Sequence, residues 1–231
     1  AMDGGLWHID LNHATAMAKF AETPSKHTTL FDPPEILPSS IPPGATPCVA
    51  GDFGQFRVLI ATSFGNVCGW DLRDGIKPLF DSVHSHPRTL YFDTAISVLY
   101  VGCGDYPLDS AQQPHAWLEA WEYREGVFLF AGATMLPGVS LDGIAIHYSE
   151  DFYGLVCFSG HRSQRLGYVS VVDRLNLRVL QQVEVPLAMI QSLAAKDDRV
   201  FLGADAGLLA VSLTGESILW HEGQKLSLIH I

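Results

Sequence analysis

Val67-Cys68-Gly69-Trp70-Asp71-Leu72 is a short apolar strand ending in a bulky aromatic and an acid, and versions of it return along the 231-residue chain. Leu6-Trp7-His8-Ile9-Asp10-Leu11 precedes it. Trp117-Leu118-Glu119-Ala120-Trp121-Glu122-Tyr123, Tyr168-Val169-Ser170-Val171-Val172-Asp173 and Leu208-Leu209-Ala210-Val211-Ser212-Leu213 follow it. Each runs into a polar turn and a further strand. Aligning Ile9, Trp70, Trp121, Val172 and Val211 gives spacings of 61, 51, 51 and 39 residues. A recurrence of about 40 to 50 residues built only from strands marks the radial repetition of small sheets.

Working outward from these strands, four full repeats can be read. The first has strands at Cys48–Ala50, Phe56–Thr62, Val67–Leu72 and Lys77–Ser82, with Gly51-Asp52-Phe53-Gly54 as its first turn. The second runs Thr89–Asp93, Val98–Cys103, Trp117–Tyr123 and Val127–Thr134. The third runs Gly143–Tyr148, Gly154–Ser159, Tyr168–Asp173 and Arg178–Val185. The fourth runs Gln191–Ala195, Val200–Ala204, Leu208–Leu213 and Glu216–His221. Poor alternation in Val58-Leu59-Ile60-Ala61 is expected of a strand buried on both faces. Leu6–Leu11 and Ala16–Glu22 form a half repeat, and the Pro- and Ser-rich stretch Thr23–Pro47 reads as an extended connector. No segment carries apolar residues at helical spacing over three turns.

Apolar residues make up 48% of the chain and charged residues 17%, so a sizeable core can form. A net charge of −11 argues against nucleic-acid phosphates and against anionic membrane surfaces as partners. Cys48, Cys68, Cys103 and Cys157 include no C-x-x-C pair, so they read as free thiols, buried in the strands at Cys68, Cys103 and Cys157. That usage suggests a reducing, cytoplasmic setting, with no cofactor and no metal.

The termini carry their own signals. Ala1–Gly5 reads as a vector remnant. Leu226-Ser227-Leu228-Ile229-His230-Ile231 is what CTG TCT CTT ATA CAC ATC encodes, a transposon end used in preparing sequencing libraries. On that reading residues 226–231 are an artefact and the natural protein continues past Lys225.

The four-strand unit with Trp70-Asp71 at the end of its third strand resembles a β-propeller blade of the WD40 or quinoprotein-like kind. The Gly-His that opens a WD repeat is missing, and Trp-Asp occurs once. The resemblance implies an all-β protein, a single β-propeller domain over residues 1–231 made of four-stranded antiparallel blades. About five blades are expected, the first incomplete, with open strand edges through which two copies could pair.

Propeller topology puts the loops between second and third strands on the same face as the connectors between repeats. That face holds the long segments Thr23–Pro47, Ser82–Pro87, Gly104–Ala116 and Gly160–Gly167, so sites are expected there. One constellation is His84, His86, Asp105 and His115, with Asp109 beside them. Imidazole and carboxylate suit acid–base chemistry or a divalent ion, although His84 and His86, two residues apart on an extended segment, need not serve one site. A second is the basic loop His161-Arg162-Ser163-Gln164-Arg165, whose forked donors suit a carboxylate or phosphate. Tyr106 is the aromatic placed to stack on a ligand or anchor a partner, whereas Trp117, Trp121 and Phe64 read as packing.

No G-x-S-x-G, H-E-x-x-H, P-loop or Rossmann fingerprint occurs. Asp10, Asp71, Glu122 and Asp173 recur at equivalent strand ends and read as turn caps. The expectation is a non-enzymatic scaffold binding a protein partner through the long-loop face, with Tyr106, His161, Arg162 and Arg165 as contacts. One alternative is a propeller hydrolase or lyase using His84, His86, Asp105 and His115. Another is a propeller that binds glycans or small ligands.

Overall fold

Leu99 to Cys103 carries large apolar groups on both faces, so the strand is stable only if both are covered. The computed structural model shows how. It describes residues 7–10, 16–19, 48–53, 56–61, 65–71, 75–84, 86–104, 115–148, 153–161, 164–196, 198–204, 207–213 and 218–221. Every described element is a strand, and every strand pairing is antiparallel.

β1 (Trp7–Asp10) and β2 (Ala16–Lys19) form a hairpin. β3 (Cys48–Phe53), β4 (Phe56–Ala61), β5 (Asn66–Asp71) and β6 (Gly75–Asp81) form a meander in chain order. β7 (Pro87–Asp93), β8 (Val98–Gly104), β9 (Ala116–Arg124) and β10 (Val127–Leu136) form a second. β11 (Ser140–Tyr148), β12 (Tyr153–His161), β13 (Leu166–Asp173) and β14 (Val179–Val185) form a third. β15 (Ser192–Lys196), β16 (Arg199–Ala204), β17 (Gly207–Ser212) and β18 (Ile218–His221) form the last. The second and third meanders share one eight-stranded sheet through a single rung, Ser140 opposite Gly104.

Three apolar layers separate successive meanders. The first joins Phe53, Phe56, Leu59 and Val67 to Leu99, Val101, Trp121 and Phe128. The second joins Tyr100, Leu118 and Leu136 to Leu141, Leu155 and Cys157. The third joins Val156, Phe158, Val169 and Val185 to Val200, Leu202 and Leu209. Alternate residues of β8 and β12 therefore point into different layers, and each fully buried large side chain contributes about 1.5–3 kcal/mol.

Two sequence expectations are corrected here. Gly51-Asp52-Phe53 belongs to β3 rather than to a turn, since Phe53 pairs with Phe56 after a register shift. The Phe53 ring is the reason: it is buried in the first layer and meets Phe92 edge-on at 4.7 Å. β7 and β11 begin at Pro87 and Ser140, earlier than alternation suggested. Bulges between Pro87 and Thr89 and between Leu141 and Gly143 break the period of two.

The two ends of the meanders are distinguished by recurring amide bonds. At one end, Gly104 N donates to His86 O, Val139 N to Gly160 O and Gln191 N to Gly203 O, at 2.8–3.1 Å. Each ties the connector into a meander to the end of a second strand. At the other, Tyr123 N donates to Ser97 O and Leu213 N to Asp198 O, at 2.8 and 2.7 Å. Connectors and second-to-third-strand loops thus share one end, and short turns occupy the other. Gly160 shows how closely the connector approaches: a Cβ there would collide with Ala188 O. Among the described residues no helix is long and apolar enough to cross a membrane.

Candidate functional site

Within the buried stretch Leu118–Trp121 of β9 stands one carboxylate, Glu119, which is fully buried. A buried carboxylate is tolerable only if donors replace its water. Four do. Oε1 accepts from Ser82 Oγ at 2.9 Å, from His84 N at 2.7 Å and from His84 Nδ1 at 3.1 Å. Oε2 accepts from Trp121 Nε1 at 2.9 Å. Ser82 Oγ also stands 3.1 Å from Cys103 Sγ. The segment Ser82–His84 between β6 and β7 is thereby latched onto the second meander, 35 residues ahead of Glu119 in the chain.

The His84 ring is held from two sides. Its edge meets Glu119, and its plane lies against Trp117 at 3.9 Å and 16°. With Nδ1–H donating to the carboxylate, Nε2 carries the ring's lone pair, and the side chain is 24% exposed. A buried carboxylate orienting an accessible imidazole is an arrangement that can move a proton.

His86 and His115 come to the same end by their backbones. His86 O accepts from Gly104 N, and Gly104 lies opposite Ala116, the residue after His115. Asp105, Asp109 and Tyr106 lie outside the described residues, as do Phe64, Arg162, the connector 23–47, and residues 1–5 and 226–231. Of Trp70, Asp71 and Asp10 only the backbone is described. His161 is corrected: it ends β12, paired with Leu166, rather than sitting in a loop, because the ladder continues through Gly160 opposite Gly167. Arg165 is exposed at the foot of that shortened loop, with a φ of 52°. Among the described residues no three of His, Cys, Asp and Glu stand together as a metal site would require.

The same end carries an ion pair between meanders, Arg88 Nε to Asp142 Oδ1 at 3.3 Å, with Ser140 Oγ donating to Asp142 Oδ2 at 3.0 Å. At the opposite end Arg174 reaches from the third meander to buried Asp93 of the second, 2.6 Å from Oδ2, and lies 3.3 Å over the Tyr153 ring. Tyr100 Oη donates to Arg174 O at 2.6 Å. Burial, then the nearby Asp93 charge, pushes the Tyr100 phenol well above its ordinary range. Asp173 caps the β13–β14 turn, accepting from Leu175 N and Asn176 Nδ2, each at 2.8 Å. Glu122 instead pairs with Arg124. Cys68, Cys103 and Cys157 are buried thiols outside any disulfide, and burial raises the Cys157 thiol far above its usual pKa.

Sequence reasoning missed Glu119, Ser82 and the use of Trp117 as a platform for His84. The available signal was an acid inside the apolar stretch Trp117–Trp121.

No protein-family model and no curated protein matches the chain. Among solved structures, the computationally designed Ika8 protein is similar at 18% identity and a TM-score of 0.51, over 78% of this chain and 50% of that one. The AfRom2 CNH domain is similar at 13% identity and 0.51, over 74% and 53%. The WD40 β-propeller domain of Doa1 aligns at 14% identity and 0.39, over 76% and 67%. The chain thus spans about half the length of the first two. At these identities the likeness to the first two is one of fold alone: all-β, antiparallel and propeller-like.

Proposed function

We propose that the chain is part of a propeller of four-stranded blades, about five with the incomplete first, forming one domain without catalytic activity of its own. It holds a protein partner on its long-loop end. The observation that carries this reading is the recurring bond from connector to second strand, Gly104 N to His86 O, Val139 N to Gly160 O and Gln191 N to Gly203 O. It fixes the bases of successive loops in one rigid frame, the usual scaffold for recognition. Arg165 is exposed in that frame, and Tyr106, His161 and Arg162 complete the contact set, suited to an acidic segment.

Capture from source cells with wild type, the double variant Arg162→Glu/Arg165→Glu, and Leu175→Asp at the opposite end tests this. A partner retained by Leu175→Asp and lost by the double variant supports the reading. No stable partner, or equal retention by both variants, refutes it.

The His84–Glu119 pair favours a second reading, an acid–base hydrolase or lyase with His84 Nε2 as the proton acceptor and Glu119 positioning it. His86, Asp105 and His115 would flank the substrate. A panel of ester, phosphoester and lyase substrates is the screen. His84→Gln must abolish any turnover found while leaving the thermal melt in place; retained turnover removes the reading.

A further inference from the structure

Ser82 Oγ donates to Glu119, Ser140 Oγ to Asp142 and Tyr100 Oη to Arg174 O. Ser159 and Ser170 differ. Both are fully buried, and neither Oγ has a hydrogen-bond partner among the described residues. An unpaired hydroxyl in an apolar layer is costly, so native folds supply it with a partner.

The register brings the two hydroxyls together. Cys157 pairs with Ser170 and Ser159 with Tyr168, so the serines stand on a diagonal of β12 and β13 with Cys157 at its corner. Val156, Phe158, Val169 and Val171 face the third layer, which turns Cys157, Ser159 and Ser170 to the second. Across that layer β9 contributes Ala116 and Ala120, whose short side chains fill less of it than leucines would. Such a diagonal spans roughly 7 Å or less between Cβ atoms, too far for one hydroxyl to bond the other directly. Two hydrogen bonds of about 2.8 Å through one water cover the distance.

We propose that Ser159, Ser170 and Cys157 form a binding niche for a single buried water between the second and third meanders. Each hydroxyl donates to the water oxygen, and the water returns one O–H to the Cys157 sulfur, a weak acceptor. Three partners are what a buried water ordinarily has. All three groups are uncharged, since burial holds Cys157 as the thiol, so the niche suits water rather than an ion. The inference rests on neither reading of the long-loop end.

A crystal structure of the full chain, with thermal melts of Ser159→Ala, Ser170→Ala and the double variant, tests it. The expected result is one ordered water within hydrogen-bond distance of both Oγ atoms. Each single variant takes a partner from that water and should lower Tm by several degrees. The double variant should lose less than the sum of the two, because both report the same bridge. Hydroxyls that stood unpaired would give the opposite sign, since alanine would then remove an uncompensated polar group. An unchanged or raised Tm for either single variant therefore overturns the proposal. So does a structure with no water there, with a water touching one serine only, or with Ser170 bonded instead to Gln182, its neighbour across β14. If a variant fails to fold, the wild-type crystal structure decides.

Discussion

Glu119→Gln isolates the latch between the 82–84 connector and β9 at almost constant volume. A carboxamide has one acceptor where the carboxylate has two. With its oxygen toward Ser82 and His84, the amide nitrogen faces Trp121 Nε1, a donor against a donor at 2.9 Å. With the amide reversed, three donors lose their acceptor instead. The first arrangement strands one buried N–H, at a cost of about 1–3 kcal/mol. It also turns the remaining charge-assisted bonds into neutral ones, which are roughly half as strong. The expected total is about 3 kcal/mol, and for a chain of this length that lowers Tm by roughly 6–12 °C. His84→Ala keeps the backbone bond from His84 N and removes only the ring, which is partly solvated, so it should cost about 1 kcal/mol. Thermal and urea melts of both variants, with the Trp121 indole N–H followed by NMR, provide the assay. A Glu119→Gln melt within about 2 °C of wild type, or His84→Ala costing more than Glu119→Gln, refutes the claim that the carboxylate organises this end.

Arg174→Leu leaves the Asp93 carboxylate buried without its cation and should destabilise by about 3 kcal/mol in urea, with Arg174→Leu/Asp93→Asn recovering part of the loss. Gly160→Ala drives a methyl into Ala188 O and should cost clearly more than Gly126→Ala, where nothing lies within 4 Å and left-handed strain at φ +86° costs about 1 kcal/mol; equal chemical-denaturation midpoints would contradict the close approach. The Tyr100 phenol is raised in the folded state, so its contribution is present below the ordinary phenol pKa of 10.0 and is lost as pH climbs above it; Tyr100→Phe should flatten the alkaline fall of stability in a pH series of melts.

The strands were legible because the two middle strands of each meander are covered on both faces, which forces runs such as Leu99–Cys103 and Leu155–Phe158 to be apolar throughout. Phe53 was misplaced because Gly51 and Asp52 are turn formers by local propensity, and only the ring's burial against Phe92 keeps the chain extended there. His84 was visible as a histidine in a long connector. Glu119 was not, since its meaning depends on partners 35 and 37 residues earlier. Asp93 and Arg174, 81 residues apart, were hidden for the same reason. Asp173 was read correctly as a turn cap because its bonds are local, whereas Glu122, spaced like it, spends its charge on Arg124.

Between the second and third meanders, strand pairing is reduced to the rung of Ser140 and Gly104. Each meander therefore closes its own ladder, and a neighbour is recognised by side chains. Those side chains differ from layer to layer: aromatic rings in the first, Tyr100 with leucines and small residues in the second, valines and leucines in the third. A unit of this kind can be duplicated in evolution without rewriting its internal bonds. Two units cannot exchange places, because each layer acts as an address that only its proper neighbour fits. The linear order of the chain is thus encoded twice, once in the peptide bonds and once in the shapes that meet between sheets.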